Sequence, residues 1–128
     1  MKKARIILPK TRFFIEVFLW ETRKELHKNT KQRGEKLDYG AIYKPEPYII
    51  YPRKKVKSKL GEIHLYKGRT GVGLLSHESL HCIFDYTIKT KGNKLKVWED
   101  DEHLEKLCGL EGELVRRIAN WLIKIKAW

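Results

Sequence analysis

An α+β fold is what this sequence predicts, and three observations predict it. A Tyr-, Ile- and Pro-rich middle stretch ends in the alternating segment GEIHLYKG (61–68), which reads as sheet. A run of apolar and polar residues over about 73–89 has helical texture. Near the C-terminus Leu114, Ile118, Leu122 and Ile125 recur at helical spacing. With 128 residues the chain suits a single domain spanning 1–128.

Taken in order, RIIL (5–8) reads as a short strand closed by Pro9. Thr11 is placed to cap a helix over FFIEVFLWETRKELHKN, with Phe13, Val17 and Trp20 at helical spacing and Gly34 as its stop. The second half of that helix is charged and solvated. YGAIYKPEPYIIYP (39–52) favours short strands and turns, and the basic run RKKVKSK (53–59) reads as an exposed loop or hairpin tip. In GEIHLYKG, Ile63 and Leu65 share one face and Glu62, His64 and Tyr66 the other. The helix over 73–89 carries an apolar stripe of Leu74, Leu80, Phe84 and Ile88, with His77 and His81 beside it. A turn at 91–94, the short LKVW segment and the acidic EDDEHLE (99–105) lead to a closing helix from about Glu111 to Ala127. The expected architecture is a small mixed sheet from residues 5–8 and 39–66, packed with an N-terminal, a central and a C-terminal helix.

Composition narrows the function classes. Cys82 and Cys108 make neither a disulfide framework nor a CxxC pair, which disfavours deaminase-type zinc chemistry. The N-terminal apolar run is three residues long and no stretch is long enough to span a bilayer, so the expectation is a cytoplasmic, soluble protein. The net charge of +12 suits an acidic partner such as nucleic acid, or simply a solvated surface. Lys and Arg at 53–59 with the aromatics at 43–51 have the mixture of a nucleic-acid surface, without any named binding motif.

The chemistry-bearing pattern is His77-Glu78-Ser79-Leu80-His81, an HExxH sequence inside a predicted helix. Residues i and i+4 are neighbours on a helix face, so two imidazoles can reach one zinc ion at about 2.0–2.1 Å. Glu78 projects to the side of that pair, where it can take the proton of a metal-bound water as the water attacks a carbonyl. A catalytic zinc needs a third protein ligand. Glu113, in the first turn of the predicted last helix, ranks first, Glu111 second and His103 third. Asp85 lies a turn beyond His81 and reads as a supporting residue, and Cys82 should face the core. His64 and Tyr66 are candidates for contacting an extended substrate paired to their strand.

GEIHL (61–65), HESLHCIFDY (77–86) and ELVRRIANWL (113–122) together resemble the small, mostly phage- and prophage-encoded zincin-like metallopeptidases. In that family the HExxH helix follows a GEIH-type strand, an acidic residue and a tyrosine come next (here Asp85 and Tyr86), and a Glu-Glu helix lies near the C-terminus. This chain has Gly112-Glu113 where two adjacent glutamates are usual, and Arg116 where a small residue is common. The resemblance implies a minimal zincin-like fold, a glutamate as third ligand and zinc as cofactor but no particular substrate; the HExxH chemistry itself leads to the expectation of a peptide or protein substrate. The alternative expectation is a non-catalytic basic binding protein, for nucleic acid or an acidic partner, in which any metal is structural or absent.

Overall fold

The structure is a computed structural model that describes residues 1–30, 41–46, 58–91 and 101–128. The expected helix stop at Gly34, the basic run up to Lys57, the turn after Lys91 and the LKVW segment lie outside the described residues, as does most of the stretch 39–52.

Alternating burial opens the chain as an antiparallel hairpin of β1 (Lys2–Ile7) and β2 (Phe14–Trp20). Ile15, Val17 and Leu19 are buried on one face of β2, while Phe14, Glu16, Phe18 and Trp20 take the other. The helix expected from Phe13 is therefore corrected over its first half. FFIEVFLW satisfies both periods: Phe13, Val17 and Trp20 fit a helix, whereas Ile15, Val17 and Leu19 fit a strand. Strand partners on both sides decide for the sheet. Thr11 caps no helix; its Oγ1 donates to the Leu8 carbonyl at 3.0 Å and accepts from the Phe13 amide at 3.1 Å, closing the hairpin turn. Only the charged half is helical, as α1 (Arg23–Thr30). Thr22 caps it, its Oγ1 accepting from the Glu25 amide at 3.2 Å.

β3 (Ala41–Pro45) and β4 (Lys59–Tyr66) complete a four-stranded mixed sheet in the order β1-β2-β4-β3. β4 runs parallel to β2 and antiparallel to β3, so it lies inside the sheet and the two edges are β1 and β3. Ile63 and Leu65 enter the core as expected, with Glu62, His64 and Tyr66 on the opposite face. Gly61 is required where it stands: a Cβ there would come within 2.5 Å of the Lys44 carbonyl and 2.8 Å of the Tyr43 hydroxyl.

α2 (Val72–Lys91) packs over β3 and β4, and α3 (Asp101–Lys124) packs against α2 and over β1. The buried face of α2 is Leu75, Ser79, Cys82, Ile83 and Thr87. The expected stripe of Leu80, Phe84 and Ile88 is instead exposed by about two-fifths each, at 44, 41 and 39%. Apolar residues lie nearly all round this helix, so two stripes compete and its neighbours choose between them. α3 begins ten residues before the expected Glu111, because Leu104 and Leu107 extend the Leu114, Ile118 and Leu122 stripe. It ends at a left-handed Lys126 (φ 59°), with the Ala127 amide donating to the Leu122 carbonyl at 2.8 Å. Among the described residues no helix is long and apolar enough to cross a membrane.

Candidate metal centre

The helical turn of α2 places the His77 and His81 rings edge-to-face, with centroids 4.9 Å apart. Their Nε2 atoms stand 3.2 Å apart on the exposed side of the helix. Two nitrogens bound to one tetrahedral ion at about 2.0–2.1 Å would be separated by roughly 3.3–3.4 Å. At 3.2 Å the two nitrogens are near that separation, and here they face one another as hydrogen-bond donor and acceptor.

Glu78 lies one residue round the helix and is buried, 5% exposed, against β3. Burial raises its carboxyl pKa, opposed by His77, by the hydrogen bond from the Tyr43 amide and by His81. A carboxylate with strengthened proton affinity next to two imidazoles has the chemistry of a general base.

α3 separates the two glutamate candidates. Glu113 does not reach the histidines. Its carboxylate is held by Arg116 at 2.9 and 2.8 Å and approached by Arg117 at 3.6 Å, which lowers its pKa. Glu111 faces α2 and accepts a hydrogen bond from Ser76, the residue before His77, at 2.9 Å. The reason is helical phase. Glu111 stands three residues before the buried Leu114 and shares its side of the helix, whereas Glu113 is about 100° away. His103 sits in the first turn of α3 and is not grouped with the pair. Among the described residues, no set of three His, Cys, Asp or Glu side chains is already arranged to hold a metal.

Behind Glu78 lies a polar cluster that joins α2 to β3. The Tyr43 hydroxyl donates to Asp85 Oδ2 at 2.6 Å, and Lys89 Nζ meets the same oxygen at 2.9 Å. Lys89 also donates to the Leu60 carbonyl at 3.0 Å and the Glu46 carbonyl at 3.4 Å. Burial raises the Tyr43 pKa, with Cys82 and Asp85 adding to it, so the phenol stays protonated and remains a donor. Asp85 therefore supports the strand beside the site, as the sequence suggests. Tyr43 and Lys89 were not legible as partners, although the i,i+4 spacing of Asp85 and Lys89 on a helix was an available signal. Cys82 is fully buried in the core, as expected.

His64 and Tyr66 lie away from this centre. Because β4 is paired on both sides, it offers no edge to a substrate. His64 is instead stacked on Phe18 at 4.6 Å, accepts from Trp20 Nε1 at Nδ1 (3.0 Å), and turns Nε2 to Glu62 at 3.0 Å. Among the described residues, the sheet edge on the side of the histidines is β3. An apolar groove of about 120 Å³, lined by Leu80, Phe84, Leu104, Cys108 and Glu111 among others, runs between α2 and α3.

Compared with known proteins, the chain matches no family model, no curated protein and no solved structure.

Proposed function

We propose that the chain is a zinc-dependent hydrolase that cleaves peptide bonds, with His77, His81 and Glu111 as ligands and Glu78 as general base. The observation that carries this reading is the 3.2 Å separation of the two Nε2 atoms directly beside a buried carboxyl of raised pKa. Zinc, when bound, supplies Lewis acidity that polarises a carbonyl and lowers the pKa of water to about 7. Glu78 takes the proton of the attacking water and returns it to the leaving amine nitrogen. The Tyr43 amide holds Glu78 in place. Glu111 replaces Glu113 as the proposed third ligand because it faces α2, where its carboxylate accepts from the Ser76 hydroxyl beside His77.

β3 supports a peptide as substrate. Glu46 donates its amide to the Leu60 carbonyl at 2.9 Å, so antiparallel alternation points the Ala41 backbone groups and the Tyr43 carbonyl outward, toward the site, while the Tyr43 amide is taken by Glu78. An extended chain can pair along that edge. The role expected of His64 and Tyr66 passes to this strand.

The competing reading, a basic binding protein in which any metal is structural or absent, draws on the +12 net charge. Two measurements decide between them. Metal analysis of the purified protein should give one zinc per chain, lost in His77→Ala. Glu78→Gln should keep zinc and fold yet abolish cleavage of a peptide library; a variant as active as the parent, or a parent without zinc, would defeat the hydrolase reading.

A further inference from the structure

At the sheet edge opposite β3, Arg5, Ile6 and Ile7 of β1 face Arg116 and Arg117 of α3 across an open cleft of about 430 Å³. Arg117 Nη1 donates to the Ile7 carbonyl at 2.8 Å, fixing α3 against the strand. Since the Leu8 amide bonds the Phe13 carbonyl at 2.9 Å, antiparallel alternation turns the amides of Ile7 and Arg5 outward into the same cleft. The Arg5 guanidinium turns to the other face of the sheet, over the Phe14 ring at 4.2 Å from its centroid, so Arg5 lines the cleft through its backbone. The carboxylate of Glu113 sits between Arg116 and Arg117.

We propose that this cleft binds the phosphodiester backbone of a nucleic acid. Guanidinium forks grip phosphate with the same bidentate geometry by which Arg116 now grips the Glu113 carboxylate, so an internal anion occupies the place a phosphate would take. Outward strand amides add neutral donors suited to phosphate oxygens. The +12 net charge draws a polyanion toward the molecule from a distance. The cleft and the histidine pair lie at opposite edges of the sheet, so the inference is independent of the hydrolase reading.

The test is fluorescence anisotropy of the full chain with a labelled single-stranded oligonucleotide and with its duplex, titrated with salt. Binding to either is expected, weakening as salt rises. Arg116→Ala should reduce the slope of log affinity against log salt by about 1, and Arg5→Ala, whose guanidinium lies on the other sheet face, should leave it unchanged. Glu113→Gln removes the competing carboxylate and should tighten binding several-fold. Circular dichroism checks that each variant is folded; Arg116 is 58% exposed, so its replacement leaves the core intact. Absent binding, a slope unchanged in Arg116→Ala, no tightening in Glu113→Gln, or capture by phosphatidylserine vesicles alone would each overturn the proposal and leave the arginines as charges that guard a strand edge.

Discussion

At the β3 edge, the Lys89 side chain is 4% exposed and its ammonium is shared among Asp85 and two backbone carbonyls. At the β1 edge, Arg116 and Arg117 are 58% and 38% exposed and meet one surface carboxylate. The same sheet thus ends in a dry, fully engaged polar cluster on one side and a wet, exchangeable ion pair on the other. A buried ion pair cannot lose one member cheaply, because the other is left charged without water. A solvated pair can trade its carboxylate for another anion at little cost. The dry edge holds β3 still beside Glu78, and the wet edge carries an ion pair that water can screen and loosen.

The largest effect should come from breaking the dry side. Lys89→Met strands Asp85 and should destabilise the fold by about 3 kcal/mol, seen as a fall in Tm on the order of 10 °C. Glu113→Ala at the wet edge should leave Tm unchanged in the same assay, and equal losses at the two edges would erase the contrast. Next in size is zinc affinity: Glu111→Ala should weaken it by at least ~10-fold in a competition titration, with Glu113→Ala indistinguishable from the parent. The reverse ranking would restore Glu113 as the ligand.

A smaller effect concerns His64, on the sheet face away from the helices. Burial lowers its pKa against the pull of Glu62, so the folded state holds the imidazole neutral, with Nδ1 accepting from Trp20. The unfolded chain binds a proton below about pH 6.5. Stability from this group is therefore present above that value and is lost as pH falls through the lower folded pKa. Melting curves should show Tm falling between about pH 7 and pH 5, and His64→Gln should flatten that fall. The least disruptive check uses the thiols. Burial pushes Cys82 up to about 12, while Cys108 is exposed. A disulfide reagent at neutral pH should titrate one thiol in the native protein and two after denaturation.

The helix that carries the histidines was legible because HExxH sits in a run with no competing strand period. β2 was not, because the aromatic and β-branched residues of FFIEVFLW fit either period, and its assignment depends on β4 arriving beside it. The exposed stripe of α2 was misjudged for a related reason: neighbouring elements choose between two apolar faces. The choice between Glu111 and Glu113 as the proposed third ligand turns on helical phase. Measured from Leu114, Ile118 and Leu122, the sequence already puts Glu111 on the buried side and Glu113 off it, but the expected start at Glu111 hid that relation. Tyr43 was beyond reach, since six tyrosines are present and only packing on Gly61 singles one out.

The parallel match of β2 with β4 has a kinetic consequence. No turn can join parallel neighbours, so the strand must wait until α1 and β3 have been crossed, and the loop entropy of that closure comes due before the ladder rewards it. The β1–β2 hairpin can zip early, whereas completion of the sheet is the slow, late event of folding. The helix bearing His77 and His81 follows β4 directly, so its docking shares that final step.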